Sequence, residues 1–174
     1  TNHVGSAGNY HKEIINQVSN NFSEIIGMYN EVVKNNSNKK IWVSRQNASK
    51  RKIKNFEEVA KVLRKHEFTI VDYESLPFIE QIKISFEAEI IGGLHGAGLT
   101  NMIFMEKNSL IIEVRDESDS KNNCFFSLSS DLNHKYYFIP AKAEKNDYYS
   151  SDYYLDAELL DESLNKVLSI FNNS

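Results

Sequence analysis

Apolar residues at 14, 15, 18, 22, 25, 26, 29, 32 and 33 recur at helical spacing and predict a long amphipathic helix over about 11 to 35. It ends in the polar run Asn35-Asn36-Ser37-Asn38. The pattern then shortens. Lys40 to Ser44 carries Ile41, Trp42 and Val43 as a buried strand, and a polar, basic stretch follows from Arg45 to Lys54. Asn55 stands where it would cap a second helix, with Glu58 three residues on as a weaker capping box and Phe56, Val59, Val62 and Leu63 as the apolar face. Phe68 to Val71 reads as a strand. Pro77 is placed in the first turn of a third helix marked by Phe78, Ile79, Ile82 and Phe86.

A strand over 89 to 91 leads into a glycine-rich bend. Ala97 to Met105 suits a short buried helix, and Leu110 to Val114 is a near-continuous apolar strand of the kind found in sheets covered on both faces. Residues 124 to 132 are expected to be helical, Tyr136 to Ile139 a strand, and 148 to 154 a tyrosine-rich loop. Leu159, Leu160, Leu164, Val167, Leu168 and Phe171 define a closing helix. Strand and helix alternate throughout, which selects an α/β fold: a Rossmann-like, doubly wound, mostly parallel sheet with helices on both faces and ligands beyond the carboxyl ends of the strands. Residues 1–174 read as a single domain, with 1–10 a disordered segment or linker and no internal repeat.

Composition narrows the class. With 174 residues, 41% of them hydrophobic and 11% aromatic, the chain can bury a real core. A formal charge of −4 argues against a nucleic-acid partner gripped by a broadly basic face. The single cysteine, Cys124, has no partner for an internal disulfide or a thiolate zinc site, so a reducing compartment fits and cytoplasm is the default. No transmembrane run of about 18 apolar residues occurs. Thr1 to Tyr10 has neither an apolar signal core nor a methionine, so the chain reads as an excised or processed piece.

The chemistry concentrates in residues 89 to 101, Glu-Ile-Ile-Gly-Gly-Leu-His-Gly-Ala-Gly-Leu-Thr-Asn. Glycines at 92, 93, 96 and 98 let backbone approach a ligand, and the unpaired N–H groups of a following helix start suit an anion. The same glycines could simply make a tight strand-to-helix turn. Arg45 and Arg51 bracket the loop after the first strand, where guanidinium forks suit diphosphate oxygens; as loop residues they could equally be solvated surface charge. Glu113, near the end of an apolar strand, could accept bonds from ribose hydroxyls or be a structural carboxylate paired with Arg115 or a helix end.

His95 could donate to a phosphate or share a proton with a leaving group, or be an ordinary hydrogen-bonded loop residue. Histidines 3, 11, 66 and 134 show no metal-ligand spacing, and no Asp-x-Asp pair is present to clamp a nucleotide-bound metal, so no metal is expected. Tyrosines 148, 149, 153 and 154 could stack on a sugar ring, although packing against the last helix suits them better.

Ser44-Arg45, Arg51, Asn55-Phe56-Glu57-Glu58, Glu74-Ser75-Leu76-Pro77-Phe78-Ile79-Glu80-Gln81, and above all Gly93-Leu-His-Gly-Ala-Gly-Leu-Thr-Asn101 with Phe104 and Ile112-Glu113 resemble glycosyltransferase family 61 in order and spacing. The resemblance runs from about Lys40 to Ile139. It implies one half of a GT-B architecture, the carboxyl-terminal, donor-binding half, with the amino-terminal acceptor domain absent. A nucleotide-sugar donor, with a UDP-sugar favoured, would rest its diphosphate on the backbone of Gly96, Ala97, Gly98 and Leu99, continuing to Thr100 and Asn101. Arg45, Arg51 and His95 would offset its charge without a metal or other cofactor, and Glu113 would hold the nucleoside. The branch implied is bacterial, working on capsular or extracellular polysaccharide in the cytoplasm or peripheral to the inner membrane, with the glycan acceptor held by the absent domain and the isolated piece inactive. Two other readings stay open. One is an NAD-dependent oxidoreductase fragment, suggested by Gly96-Ala-Gly98 followed by Glu113, although Asn101 holds the third glycine position. The other is a non-catalytic sugar-nucleotide-binding module.

Overall fold

The computed structural model describes residues 11–29, 39–119, 121–145 and 150–173. Its centre is a six-stranded sheet of β1 (Lys39–Val43), β2 (Phe68–Val71), β3 (Ala88–Leu94), β4 (Leu110–Asp116), β5 (Lys135–Ala143) and β6 (Tyr153–Tyr154), in the order β2-β1-β3-β4-β5-β6. The first five are parallel and β6 runs antiparallel to β5, so the sheet is mixed. The helices are α1 (Lys12–Tyr29), α2 (Phe56–Lys65), α3 (Phe78–Phe86), α4 (Cys124–Asp131) and α5 (Ala157–Asn172), joined by 3₁₀ segments at Tyr73–Ser75 and Ala97–Phe104. This is an α/β fold consistent with a Rossmann-like sheet. The chain steps from β1 to β2 on one side and to β3 on the other, and such a reversal opens a crevice at the strand ends.

Strand alternation divides the apolar residues between two layers. Trp42, Ile90, Leu110, Ile112, Val114 and Ile139 point to the side closed by Val59 and Leu63 of α2 and by Leu160, Leu164, Val167 and Leu168 of α5. Ile41, Val43, Ile91 and Ile111 point to the other side and meet Leu99, Met102, Phe125 and Leu128. Gly92 and Gly93 belong to β3 rather than to the bend that the sequence suggests, because the bend begins only at His95. Their role is close packing: a Cβ on Gly92 would lie 2.8 Å from Trp42 Cε3, and one on Gly93 would lie 3.0 Å from the Val43 carbonyl oxygen.

Element boundaries otherwise shift by a residue or two, except that β5 runs well beyond the expected Tyr136 to Ile139. The expected continuation of the first helix past Tyr29 and two tyrosines of the expected loop, 148 and 149, lie outside the described residues. Asn55 departs from its expected role. It stands at the N-cap position of α2 but makes no side-chain cap bond. Its amide instead bonds the backbone at Leu155, donating to the carbonyl at 2.8 Å and accepting from the N–H at 3.2 Å. Tyr153 is buried in the α5 layer, as packing suggests, whereas Tyr154 is half exposed with Lys54 5.7 Å from its ring centre.

The loop from Ser44 to Asn55 positions the site. It leaves the end of β1, where Ser44 N–H donates to Val71 O at 2.8 Å, and reaches β6, where Tyr153 N–H donates to Lys52 O and Lys54 N–H to Tyr153 O, both at 2.8 Å. Since β3, β4 and β5 lie between β1 and β6, the loop crosses the carboxyl ends of the sheet. Among the described residues no helix is long and apolar enough to cross a membrane.

Candidate functional site

β3 ends at Leu94, and the turn His95-Gly96 leads into the 3₁₀ segment Ala97–Phe104. The turn is tied to the sheet by His95 N–H donating to Val114 O at 2.7 Å and closed by Leu99 N–H donating to Gly96 O at 3.0 Å. Asn101, 7% exposed, donates through Nδ2 to Gly98 O at 3.1 Å and so braces the loop from within. Ala97 and Thr100 are exposed, while Leu99 is buried against Val43 and Tyr73.

The two glycines of the turn do different things. A Cβ on Gly96 would lie 2.8 Å from the Arg45 guanidinium, whereas a Cβ on Gly98 would lie 2.7 Å from Val43 Cγ1. Gly96 therefore faces the cationic side chain, and Gly98 faces the core.

Arg45 and Arg51 both come to this turn. Arg51 NH1 donates to the His95 carbonyl at 3.3 Å, and its backbone has φ 59°, a left-handed conformation costing about 1 kcal/mol for a residue with a Cβ. Arg45 has one acidic neighbour in range, Glu74 at 3.7 Å, itself half exposed. The Nε of each arginine is buried without a hydrogen-bond partner among the described residues. Burial, then the neighbouring charge of Arg51, pulls Arg45 below the ordinary arginine range against the weaker opposing effect of Glu74. Two cations are thus held together with too little negative charge to satisfy them. A narrow cleft of about 30 Å³ opens beside Arg45, lined also by Ser44, Tyr73, Glu74 and Gly98.

Glu113 is 1% exposed. One carboxylate oxygen is bonded by His95 Nδ1 and the other accepts from the Tyr136 hydroxyl. A ribose contact from Glu113 would have to displace one of these two groups. Burial, followed by the charge of Glu113 and its hydrogen bond, holds the Tyr136 hydroxyl strongly above the ordinary phenol range, so it remains a donor. On the outer side of the imidazole, Asn122 Nδ2 lies 3.0 Å from His95 Nε2, and the Phe125 ring stands edge-on at 5.0 Å between centroids.

Asn122 is fixed in turn by its loop. Asp119 accepts from the N–H groups of Lys121 and Asn122 at 3.2 and 3.1 Å, and Arg115 NH1 donates to Asn122 O at 2.8 Å. Burial pushes the Asp116 carboxyl up, but bonds from Ser118 Oγ and from the N–H groups of Ala143 and Ser118 outweigh it and leave the group below its usual range. Tyr136 and Asn122 are the site residues that periodicity does not reveal. Glu113 between aliphatic neighbours signals only that a buried partner exists, without naming it.

A second groove, about 620 Å³, lies at the end of β5 beside α5. It is lined by Glu58, Glu117, Asp156 and Glu158 against one cation, Lys142, and has the wrong sign for an anionic ligand. Among the described residues no three His, Cys, Asp or Glu side chains converge as a metal site.

An α/β protein whose mixed sheet is mostly parallel, with a glycine turn and two undercompensated arginines at the strand ends, has the makings of an anion-binding protein. The comparisons make the class specific: residues 3–112 match the glycosyltransferase 61 family model, and the chain belongs to that family. The match begins well before Lys40 and stops one residue short of Glu113. Among curated proteins the chain is similar to the EGF domain-specific O-linked N-acetylglucosamine transferase of Drosophila melanogaster, 37% identical over 65 residues, which is 37% of this chain and 12% of the relative. The enzymes of the same name in Xenopus laevis and Rattus norvegicus are each 32% identical, over 84 and 100 residues, covering 45% and 55% of this chain and 16% and 18% of theirs. The matched stretch is thus less than a fifth of each relative's length, and all three relatives are animal proteins.

Proposed function

We propose that this chain is the nucleotide-sugar-binding part of a glycosyltransferase, the donor half of a GT-B enzyme built on a doubly wound sheet. It grips the diphosphate of the donor at the His95-Gly96 turn. The observation that carries the reading is the convergence of Arg45 and Arg51 on that turn with both Nε atoms buried and unpartnered. Two like charges held this close are costly by themselves, and an anion at the turn would offset their charge. The backbone of Gly96 to Leu99, continuing to Thr100 and Asn101, forms the surface on which the phosphates rest.

During transfer, negative charge grows on the phosphate oxygen as the glycosidic bond breaks. Two guanidinium groups fixed beforehand stabilise that charge electrostatically, so the proposal calls on no metal. A UDP-sugar is the favoured donor. The names of the relatives make the N-acetylglucosamine derivative the first to test and point to a hydroxyl on a protein. The alternative acceptor, a capsular or extracellular glycan built by a cytoplasmic bacterial enzyme, rests on family resemblance alone. The dinucleotide-oxidoreductase reading is weakened by the family match and by Glu113, whose oxygens face His95 and Tyr136.

Calorimetry with UDP, GDP and CDP on this chain tests the proposal. Binding of UDP in the micromolar to millimolar range is expected, because one wall of the cleft is supplied from outside these residues. Absence of heat with all three at millimolar concentration would refute it.

A further inference from the structure

We infer that His95 is the general base that takes the proton of the acceptor hydroxyl, rather than a donor to the leaving phosphate, and that Glu113 and Tyr136 are its positioning residues. The inference rests on the reading that this turn holds a nucleotide-sugar. Its ground is the direction of the hydrogen bonds around one ring. One oxygen of the Glu113 carboxylate accepts from the Tyr136 hydroxyl and the other faces His95 Nδ1, an arrangement that places the imidazole proton on Nδ1. Nε2 then carries a lone pair, and the group facing it, Asn122 Nδ2 at 3.0 Å, is an amide donor that matches it. A ring in this tautomer presents an acceptor outward. It would repel a phosphate oxygen and suits the removal of a proton.

The Asn122 amide marks the place of the incoming hydroxyl. Its backbone is pinned by Asp119 and Arg115, so only the side chain has to turn away. As the acceptor oxygen bonds to the anomeric carbon, its proton passes to Nε2. The bond from the anomeric carbon to the phosphate oxygen breaks, and its electron pair leaves on the diphosphate against Arg45 and Arg51. The imidazolium that results is held by the buried Glu113 carboxylate and later returns its proton to water. Phe125, edge-on to the ring, and the Tyr136 bond to Glu113 keep the imidazole plane fixed throughout.

Two measurements test this. Long-range nitrogen–proton NMR on this chain, followed across a pH series, should find the neutral His95 ring with its proton on Nδ1. A proton on Nε2 would overturn the inference whatever the kinetics show. In the longest expressed form of the protein, UDP release from UDP-N-acetylglucosamine should fall about 10²- to 10⁴-fold in His95→Ala with UDP affinity nearly unchanged. Azide, a nucleophile with no proton to lose, should restore release in that variant. Tyr136→Phe should lower kcat by a smaller factor without raising KM for the donor. Unchanged release in His95→Ala, or a loss that azide leaves in place, would overturn the base assignment. Failure of UDP to bind the parent would instead count against the nucleotide reading itself.

Discussion

Gly96→Ala and Gly98→Ala place the same methyl group two residues apart and should have opposite consequences. At Gly98 the new Cβ would sit 2.7 Å from Val43 Cγ1, a buried branched side chain on β1 with few alternative rotamers. Overpacking of this kind costs about 1–3 kcal/mol, offset by about 0.4–1 kcal/mol because alanine narrows the unfolded ensemble. For a domain of this size each kcal/mol moves Tm by roughly 2–4 °C. A double-mutant cycle with Val43→Ala removes the offset, since the unfolded-state effect cancels. Gly98→Ala with Val43→Ala should be about 1–2 kcal/mol less destabilised than the sum of the single changes.

At Gly96 the Cβ meets only the far end of the Arg45 side chain, 2.8 Å from NH1, and the backbone there is extended with φ 168°, which alanine adopts freely. The guanidinium moves aside at little cost, leaving stability within about 0.5 kcal/mol. Moving it away from the ligand forfeits a charge-assisted bond of about 1.5–3 kcal/mol, or roughly 10- to 150-fold in affinity. Urea melts and UDP calorimetry on both variants give the two axes. Additive energies in the Val43 cycle, or a Gly96→Ala protein that binds UDP as the parent does, would refute this division of labour.

Tyr136→Phe removes the donor that the described residues bring to the second oxygen of Glu113, and a buried acceptor left unmatched should lower unfolding free energy by about 1–3 kcal/mol in urea; a change under about 0.5 kcal/mol would mean that water takes its place. Asp161 on α5 joins Lys65 at 2.6 Å and His66 at 2.7 Å, and those bonds, Lys65 first, hold its carboxyl below the usual range. A depressed folded value means that the contribution is present above the ordinary carboxylate range and is lost as pH falls through the folded value. Asp161→Asn should therefore lower stability at neutral pH and converge with the parent as pH falls through and below the ordinary carboxylate range; a gap of constant size across that range would assign the effect to packing.

The sheet was largely legible because its central strands are apolar on both faces, as Leu110 to Ile112 and Ile90-Ile91 show, and only a strand covered on both sides tolerates that pattern. β6 escaped notice because two residues give no period, and its place is fixed by backbone bonds from Lys52 and Lys54 that no side-chain pattern encodes. In the sequence Gly92 and Gly93 suggest a bend because glycine signals permissive backbone. Here they are small side chains under Trp42 and Val43, a requirement set by residues some 50 positions away. Arg45, Arg51 and His95 were found together because strand-end loops of a parallel sheet meet in one crevice. Tyr136 and Asn122 could not be found, because their link to His95 depends on strand register and on an Asp-anchored turn.

The central claim is that Arg45 and Arg51 make the His95-Gly96 turn a diphosphate site. Comparing UDP with uridine by calorimetry, on the parent chain and on the Arg45→Ala, Arg51→Ala double variant, isolates what the phosphates contribute. With two charge-assisted contacts at about 1.5–3 kcal/mol each, the parent should prefer UDP by 100-fold or more, and the double variant should lose most of that preference while melting near the parent temperature. An equal preference in parent and variant would contradict the account.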